Sequence, residues 1–161
     1  MSSANDLIGK RISFYQLFTD YNFTVEVPTI QRDYAQGRES KKEVRDLFLK
    51  ALYDYLEENI PNRDLDFVYG STEEVDEKKK FIPLDGQQRL TTLFLLHWYL
   101  ANLSGNIEDF RKVVLDDEKS RFTYLTRPSS GEFTDALLNN EVDLKKLLLP
   151  DNKKENSLSK T

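Results

Sequence analysis

A mixed α+β fold, a small sheet packed with helices, is what this sequence predicts, and three observations carry it. Phe23, Val25 and Val27 alternate with Thr24 and Glu26, the period-two pattern of a strand with one face inward. Val44, Leu47, Phe48, Ala51, Leu52, Tyr55 and Leu56 recur at helical intervals through Glu39–Asn59. Two strand-like runs, Leu65–Val75 and Lys80–Leu84, then lead straight into Gly86–Leu103, a segment apolar almost all round.

Each element has its local reason. Phe14, Leu17 and Phe18 sit at helical spacing within Ser13–Asp20, which predicts a short packing helix. The first strand should end near Pro28, because proline donates no ladder hydrogen bond. Gln31–Arg38 is a polar connection, and Pro61 and Asn62 end the long helix that follows. The charged stretch Asp76-Glu77-Lys78-Lys79 reads as the solvated tip of a hairpin. Gly86–Leu103 should be the central helix, and His97 within it is expected to pack in the core rather than to function. A helix over Ile107–Leu115, a short strand over Arg121–Leu125 and helical segments over Phe133–Leu149 complete the chain. The sheet should draw on the Phe23, Phe67 and Phe81 runs, with the long helix packed against it.

At 161 residues, 39% of them hydrophobic, the chain suits one domain over residues 1–150. Residues 151–161 are almost wholly polar and are expected to form a frayed tail or a linker. Cysteine is absent and histidine occurs once, which excludes thiol chemistry, thiolate metal sites and histidine-rich ones; any metal must be held by oxygen. A net charge of -5 and a pI near 5.0 argue against this chain gripping DNA unaided. No secretory signal and no apolar run of bilayer length occurs, so a soluble cytoplasmic protein is expected.

The candidate site is Asp85-Gly86-Gln87-Gln88-Arg89, where a short apolar strand turns into the central helix. A helix start offers backbone N–H groups and the positive end of the dipole, which together suit a phosphate. Asp85 as N-cap with Gln88 three residues on would form a capping box and account for those two residues without any ligand. Gly86 and Arg89 are left over: a glycine weakens a first helical position, and the dipole disfavours a cation in the first turns. Both make sense if an anion approaches the backbone and Arg89 clamps it. A second pair, Gln31-Arg32, follows the first strand with Tyr34 close behind, and two guanidiniums could converge on one polyphosphate if the strands are neighbours. Taken alone, Arg32 is better explained by a salt bridge to Asp33 or to a nearby helix carboxylate, and it is the pairing with the first constellation that favours a functional role.

Three segments, VPTIQRDY (Val27–Tyr34), FVYGS (Phe67–Ser71) and DGQQRLTTL (Asp85–Leu93), resemble the signature of the N-terminal domain of GmrSD-type, modification-dependent restriction endonucleases. FTYLTRPSSGEF (Phe122–Phe133) is similar to a later block in some members. The resemblance implies a ParB/sulfiredoxin-like fold that binds nucleoside triphosphates and hydrolyses them to regulate DNA cleavage. It implies catalytic roles for Asp85, Gln87, Gln88 and Arg89, nucleotide contacts from Gln31, Arg32, Tyr34, Gly70, Ser71 and Gly86, and Mg²⁺ held by Asp85 as the cofactor. Sulfiredoxin chemistry needs a cysteine that this chain lacks, so only the fold can be shared. The family's nuclease half is a His-Asn-His domain, which one histidine cannot supply, so cutting would belong to another domain or subunit.

Two other classes of function compete. One is a noncatalytic module that binds nucleic-acid phosphate and recruits a nuclease, for which Arg38, Lys41, Lys42 and Arg45 are the local candidates. Glu39, Glu43 and Asp46 interleave with them, which favours an ordinary solvated helix face. The other is a purely structural unit in which the Asp85 cap and an Arg89 ion pair only hold the fold.

Overall fold

The computed structural model describes residues 9–28, 38–58, 64–65, 67–75, 78–125 and 128–144. Most of the Gln31–Arg38 connection, Pro61 and Asn62, the hairpin tip at Asp76 and Glu77, and everything from Lys145 onward, the polar tail included, lie outside these residues.

The elements run α1 (Gln16–Thr19), β1 (Phe23–Val27), a 3-10 turn (Glu39–Lys41) leading into α2 (Lys42–Glu57), β2 (Tyr69–Val75), β3 (Lys78–Asp85), α3 (Gln87–Leu103), α4 (Ile107–Val114), β4 (Leu115–Asp116), β5 (Lys119–Ser120), β6 (Phe122–Tyr124) and α5 (Pro128–Asn139). The expected α+β class is what the chain adopts: a four-stranded mixed sheet of order β2-β3-β1-β6, a two-stranded β4-β5 hairpin, and helices around them. β2 and β3 pair antiparallel, as a hairpin must, while β1 runs parallel to both β3 and β6.

β1 lies inside the sheet, and its alternation is visible in its burial: Phe23, Val25 and Val27 are fully covered, while Thr24 and Glu26 are half-buried on the other face. Lys80 on the neighbouring strand donates to Glu26 at 3.0 Å, so the partly covered carboxylate is matched. Helices α1, α3, α4 and α5 close the apolar face with Leu17, Phe18, Leu90, Phe94, Trp98, Phe110, Val114, Leu137 and Leu138. Phe94 stacks on Phe122 of β6 with centroids 4.9 Å apart, and the Trp98 indole N–H donates to the Leu137 carbonyl at 3.1 Å. His97 stacks on Phe14 at 4.9 Å and its Nδ1 contacts the Leu93 carbonyl at 2.7 Å, a packing role as expected.

Arg121 ties the C-terminal part to the N-terminal part. Its guanidinium donates to the carbonyls of Phe18, Val113 and Phe23 and to Asn22 Oδ1, and lies 5.6 Å from the Phe18 ring centroid. Burial pushes its pKa down and the Asp116 carboxylate partly offsets that, while the carbonyl fork keeps the charge solvated by protein.

Three expectations need correction. α2 does not pack on the sheet as a core helix: none of its residues is buried. The β4-β5 hairpin was not foreseen, because its turn uses Asp117 and Glu118 at φ 48° and 63°, where the usual signal would be an Asn-Gly or Asp-Gly pair. Neighbouring contacts stabilise that turn: Asp135 of α5 accepts from the Ser120 N–H at 2.6 Å, and Asn139 donates to the Glu118 carbonyl at 2.7 Å. α5 begins at Pro128 rather than near Phe133, using proline where a helix start needs no N–H.

Candidate functional site

β3 and α3 meet at a corner, and the five residues from Asp85 to Arg89 form it. β3 carries an irregularity just before its end, since Tyr69 pairs with Asp85 but Gly70 pairs with Pro83, so Leu84 is the extra residue of a bulge. Gly70 permits this close passage: a Cβ there would sit 2.1 Å from the Ile82 carbonyl oxygen. The bulge turns the end of β3 outward, and Leu84 and Asp85 are both exposed.

Asp85 is therefore the last strand residue and not the N-cap, so the expected capping box does not form. The cap is Gly86, at φ 84° and ψ 4°, and no side chain caps α3. This left-handed backbone is one that glycine adopts without strain. Gly86 is also buried, and an added Cβ would lie 2.6 Å from Val68 Cγ2. Its conformation and its crowding against Val68 explain the glycine without an anion, a reason the sequence pattern alone did not reveal.

Gln87 turns inward. Its side-chain amide donates to the carbonyls of Pro83 at 2.8 Å and Leu84 at 3.1 Å, locking the bulged strand end to the first turn of the helix. Arg89 reaches back across the corner: one Nη donates to the Phe67 carbonyl and lies 3.5 Å from the Asp85 carboxylate, a contact one helical turn apart. The Asp85 side chain keeps 58% of its surface open to solvent, against 24% for Arg89. Gln88 is half-buried beside them, and Thr91 and Thr92 return their hydroxyls to the carbonyls of Gln87 and Gln88 at 2.8 and 2.9 Å. Thr91 also meets the Tyr124 hydroxyl of β6, fixing the helix to the far edge of the sheet.

The corner thus gathers Asp85, Gly86, Gln88 and Arg89 on one rim, with Gly70 and the exposed Ser71 on the adjoining strand. Gln31, Arg32 and Tyr34 lie outside the described residues. β1, which precedes them in the sequence, is adjacent and parallel to β3, with Val25 level with Phe81, so the chain leaves β1 and β3 at the same end of the sheet. Val68 and the Phe67 carbonyl complete the corner, and neither was singled out individually, although both belong to the FVYGS run. Among the described residues no group of three or more histidines, aspartates or glutamates could hold a metal by itself. Asp85 is a single exposed carboxylate, which fits a Mg²⁺ whose other ligands come from phosphates and water.

The basic residues at the start of α2 are interleaved with acids. Lys42 lies 3.9 Å from Glu39, Arg45 is 3.4 Å from Asp46, and farther along Lys50 donates to Asp54 at 2.6 Å. That is the solvated, self-compensated face the interleaving predicts. Among the described residues no helix is long and apolar enough to cross a membrane.

Comparison with curated proteins and with solved structures gives no match. A family model described as the GmrSD restriction endonuclease, N-terminal domain, matches residues 14–161 and so takes in every element of the fold. On that match, which covers most of the sequence, the chain belongs to the N-terminal domain family of GmrSD restriction endonucleases.

Proposed function

We propose that the corner between β3 and α3 binds a nucleoside triphosphate with Mg²⁺ and hydrolyses it, regulating DNA cleavage carried out by a separate nuclease domain or subunit of a restriction system. The observation that carries this reading is the parallel adjacency of β1 and β3. Both strands end on the same side of the sheet, where β3 leads into the start of α3. In open sheets ligands gather beyond the carboxyl ends of parallel strands, where helix N-termini supply N–H donors.

In this reading the first-turn N–H groups of α3 receive phosphate oxygens. Arg89 exchanges its contact with Asp85 for the phosphate, and Arg32 is the second candidate guanidinium. Mg²⁺, when bound, neutralises and orients phosphate oxygens, with Asp85 as its protein ligand. Gln87 is committed to the carbonyls of Pro83 and Leu84, and Gln88, half-buried on the rim, is assigned the orienting of the attacking water. Water adds to the γ-phosphorus as the bond to the bridging oxygen breaks, releasing phosphate and the nucleoside diphosphate. Such a reaction depends on positioning and charge neutralisation, so it needs neither cysteine nor histidine.

Phosphate release measured with each of the four nucleoside triphosphates tests this directly. Asp85→Ala and Arg89→Ala should each lower the rate on the order of 10²-fold or more. Equal rates in wild type and both variants would remove the assignment. Thermal melting with Mg²⁺ and each nucleotide separates binding from turnover, since a ligand of the folded state raises the melting temperature.

A further inference from the structure

Residues 67–69 run past the Asp85–Arg89 motif, and each of the three is tied to a different member of it. The Phe67 carbonyl accepts from Arg89, the Val68 side chain lies against Gly86, and Tyr69 pairs with Asp85. These contacts account for the path of the backbone and for the choice of valine at 68. They do not account for an aromatic ring at Tyr69, which is 61% exposed and lies outside the apolar core. We infer that Tyr69 is the residue on which the base of the bound nucleotide stacks, an assignment that rests on the reading of this corner as a nucleotide site.

Placement is the first argument. Cross-strand partners carry their side chains on one face of a sheet with Cβ atoms about 5 Å apart, so Tyr69 is the immediate neighbour of Asp85. Both side chains are open to solvent there, the Asp85 carboxylate at 58%. Phosphates drawn to the start of α3 and to Arg89 occupy the helix side of Asp85, and the opposite end of the molecule has to lie clear of them. On the β2 side of Asp85 that end meets the ring of Tyr69.

The second argument is rigidity. Stacking holds a base through its π face, so it asks for an aromatic plane in a fixed place and for no matching donor or acceptor. A tyrosine has two side-chain torsions to immobilise, and the backbone beneath this one is already fastened through Phe67, Val68 and its own pairing. One face of the ring can take the base while the hydroxyl stays in water. A lone exposed tyrosine is ordinary on a protein surface. One held rigidly beside the candidate Mg²⁺ ligand is suited to a ligand that has phosphates at one end and an aromatic ring at the other.

Isothermal titration of the 161-residue chain, in Mg²⁺, with each of the four nucleoside triphosphates and with inorganic tripolyphosphate tests this, because tripolyphosphate keeps the phosphates and lacks the base. Tyr69→Ala should weaken nucleotide binding about tenfold or more and tripolyphosphate binding less than twofold. Tyr69→Phe, which keeps the ring, should recover most of the lost affinity. Val75→Ala removes another exposed side chain of the same strand, at 53% exposure, and should bind nucleotide like wild type, which controls for a general weakening of β2. If wild type binds nucleotide and Tyr69→Ala binds it as tightly, the stacking assignment is wrong while the nucleotide site stands. Equal losses for nucleotide and tripolyphosphate, or a Tyr69→Phe as weak as Tyr69→Ala, also overturn the assignment. A wild-type chain that binds neither kind of ligand removes the nucleotide reading of the corner and this inference with it.

Discussion

Replacing Gly86 with alanine is the sharpest test of how the corner is built. Gly86 sits at φ 84°, and an alanine Cβ there would lie 2.6 Å from Val68 Cγ2 and 3.1 Å from Val68 Cβ. Two costs add. A left-handed conformation disfavours an L-residue by about 1–2 kcal/mol. The contact forces a β-branched side chain to move, which by analogy with overpacking costs about 1 kcal/mol at a partly exposed position. The sum, about 2–3 kcal/mol, should lower the melting temperature by roughly 4–12 °C for a domain of this size. The lone tryptophan, Trp98, is 5% exposed and bonded to Leu137, so its fluorescence reports unfolding in urea. The two costs separate in a double-mutant cycle: Val68→Ala in the Gly86→Ala background should restore about 1 kcal/mol of coupling and leave the backbone cost in place. If Gly86→Ala were as stable as wild type, or if Val68→Ala restored nothing, the backbone and steric account of this glycine would be wrong.

Other consequences follow from neighbouring contacts. Gln87→Ala strips hydrogen bonds from the Pro83 and Leu84 carbonyls and should cost about 1–3 kcal/mol in urea denaturation, with the loss appearing even without nucleotide. Arg121→Met should destabilise by roughly 2–4 kcal/mol, and Arg121→Lys should recover only part of that, because a point charge cannot span the carbonyls of Phe18, Val113 and Phe23. Asp116 accepts from Lys78 at 2.8 Å, and that hydrogen bond, with the charge of Lys78, holds its carboxyl below the ordinary aspartate range. A depressed carboxylate contributes stability above its unfolded pKa and loses it as pH falls through the folded one, so this link should weaken only in acid. Titrating Asp116 by NMR should find its pKa low in wild type and nearer the usual value in Lys78→Met.

What the sequence disclosed depended on whether a residue's reason was local. The alternation of β1 and the helical spacing of α3 reflect burial on a fixed period, and both elements appear within a residue or two of where that period puts them. The two-residue hairpin of β4 and β5 gave no local signal, since Asp117 and Glu118 take positive φ with bracing from Asp135 and Asn139, which follow later in the chain. α2 misled for a related reason: amphipathic spacing marks a face to be covered, and it does not say by what. At the corner, the strand-to-helix order was legible, while the identity of the cap depended on the bulge at Leu84, a feature of the pairing with β2.

That bulge also decides how the Asp85–Arg89 motif divides its labour. Gly86 and Gln87 are buried and bound up with Val68, Pro83 and Leu84, so their identities follow from the fold even with no ligand present. Asp85 has no comparable obligation: it is exposed, caps nothing, and its contact with Arg89 at 3.5 Å is long for a charge-assisted hydrogen bond. A pair at that distance, with its carboxylate open to solvent, contributes little to stability. Asp85→Asn should therefore leave the melting temperature of the ligand-free chain within about 1 °C, the effect of a few tenths of a kcal/mol. If the corner hydrolyses nucleotide as proposed, the same change should abolish Mg²⁺-dependent turnover. Gln87→Ala should show the opposite profile, with lost stability and, in whatever fraction stays folded, retained turnover. If Asp85→Asn unfolded the chain and Gln87→Ala did not, the division between fold and chemistry would be reversed, and with it the choice of Gln88 over Gln87 to hold the water.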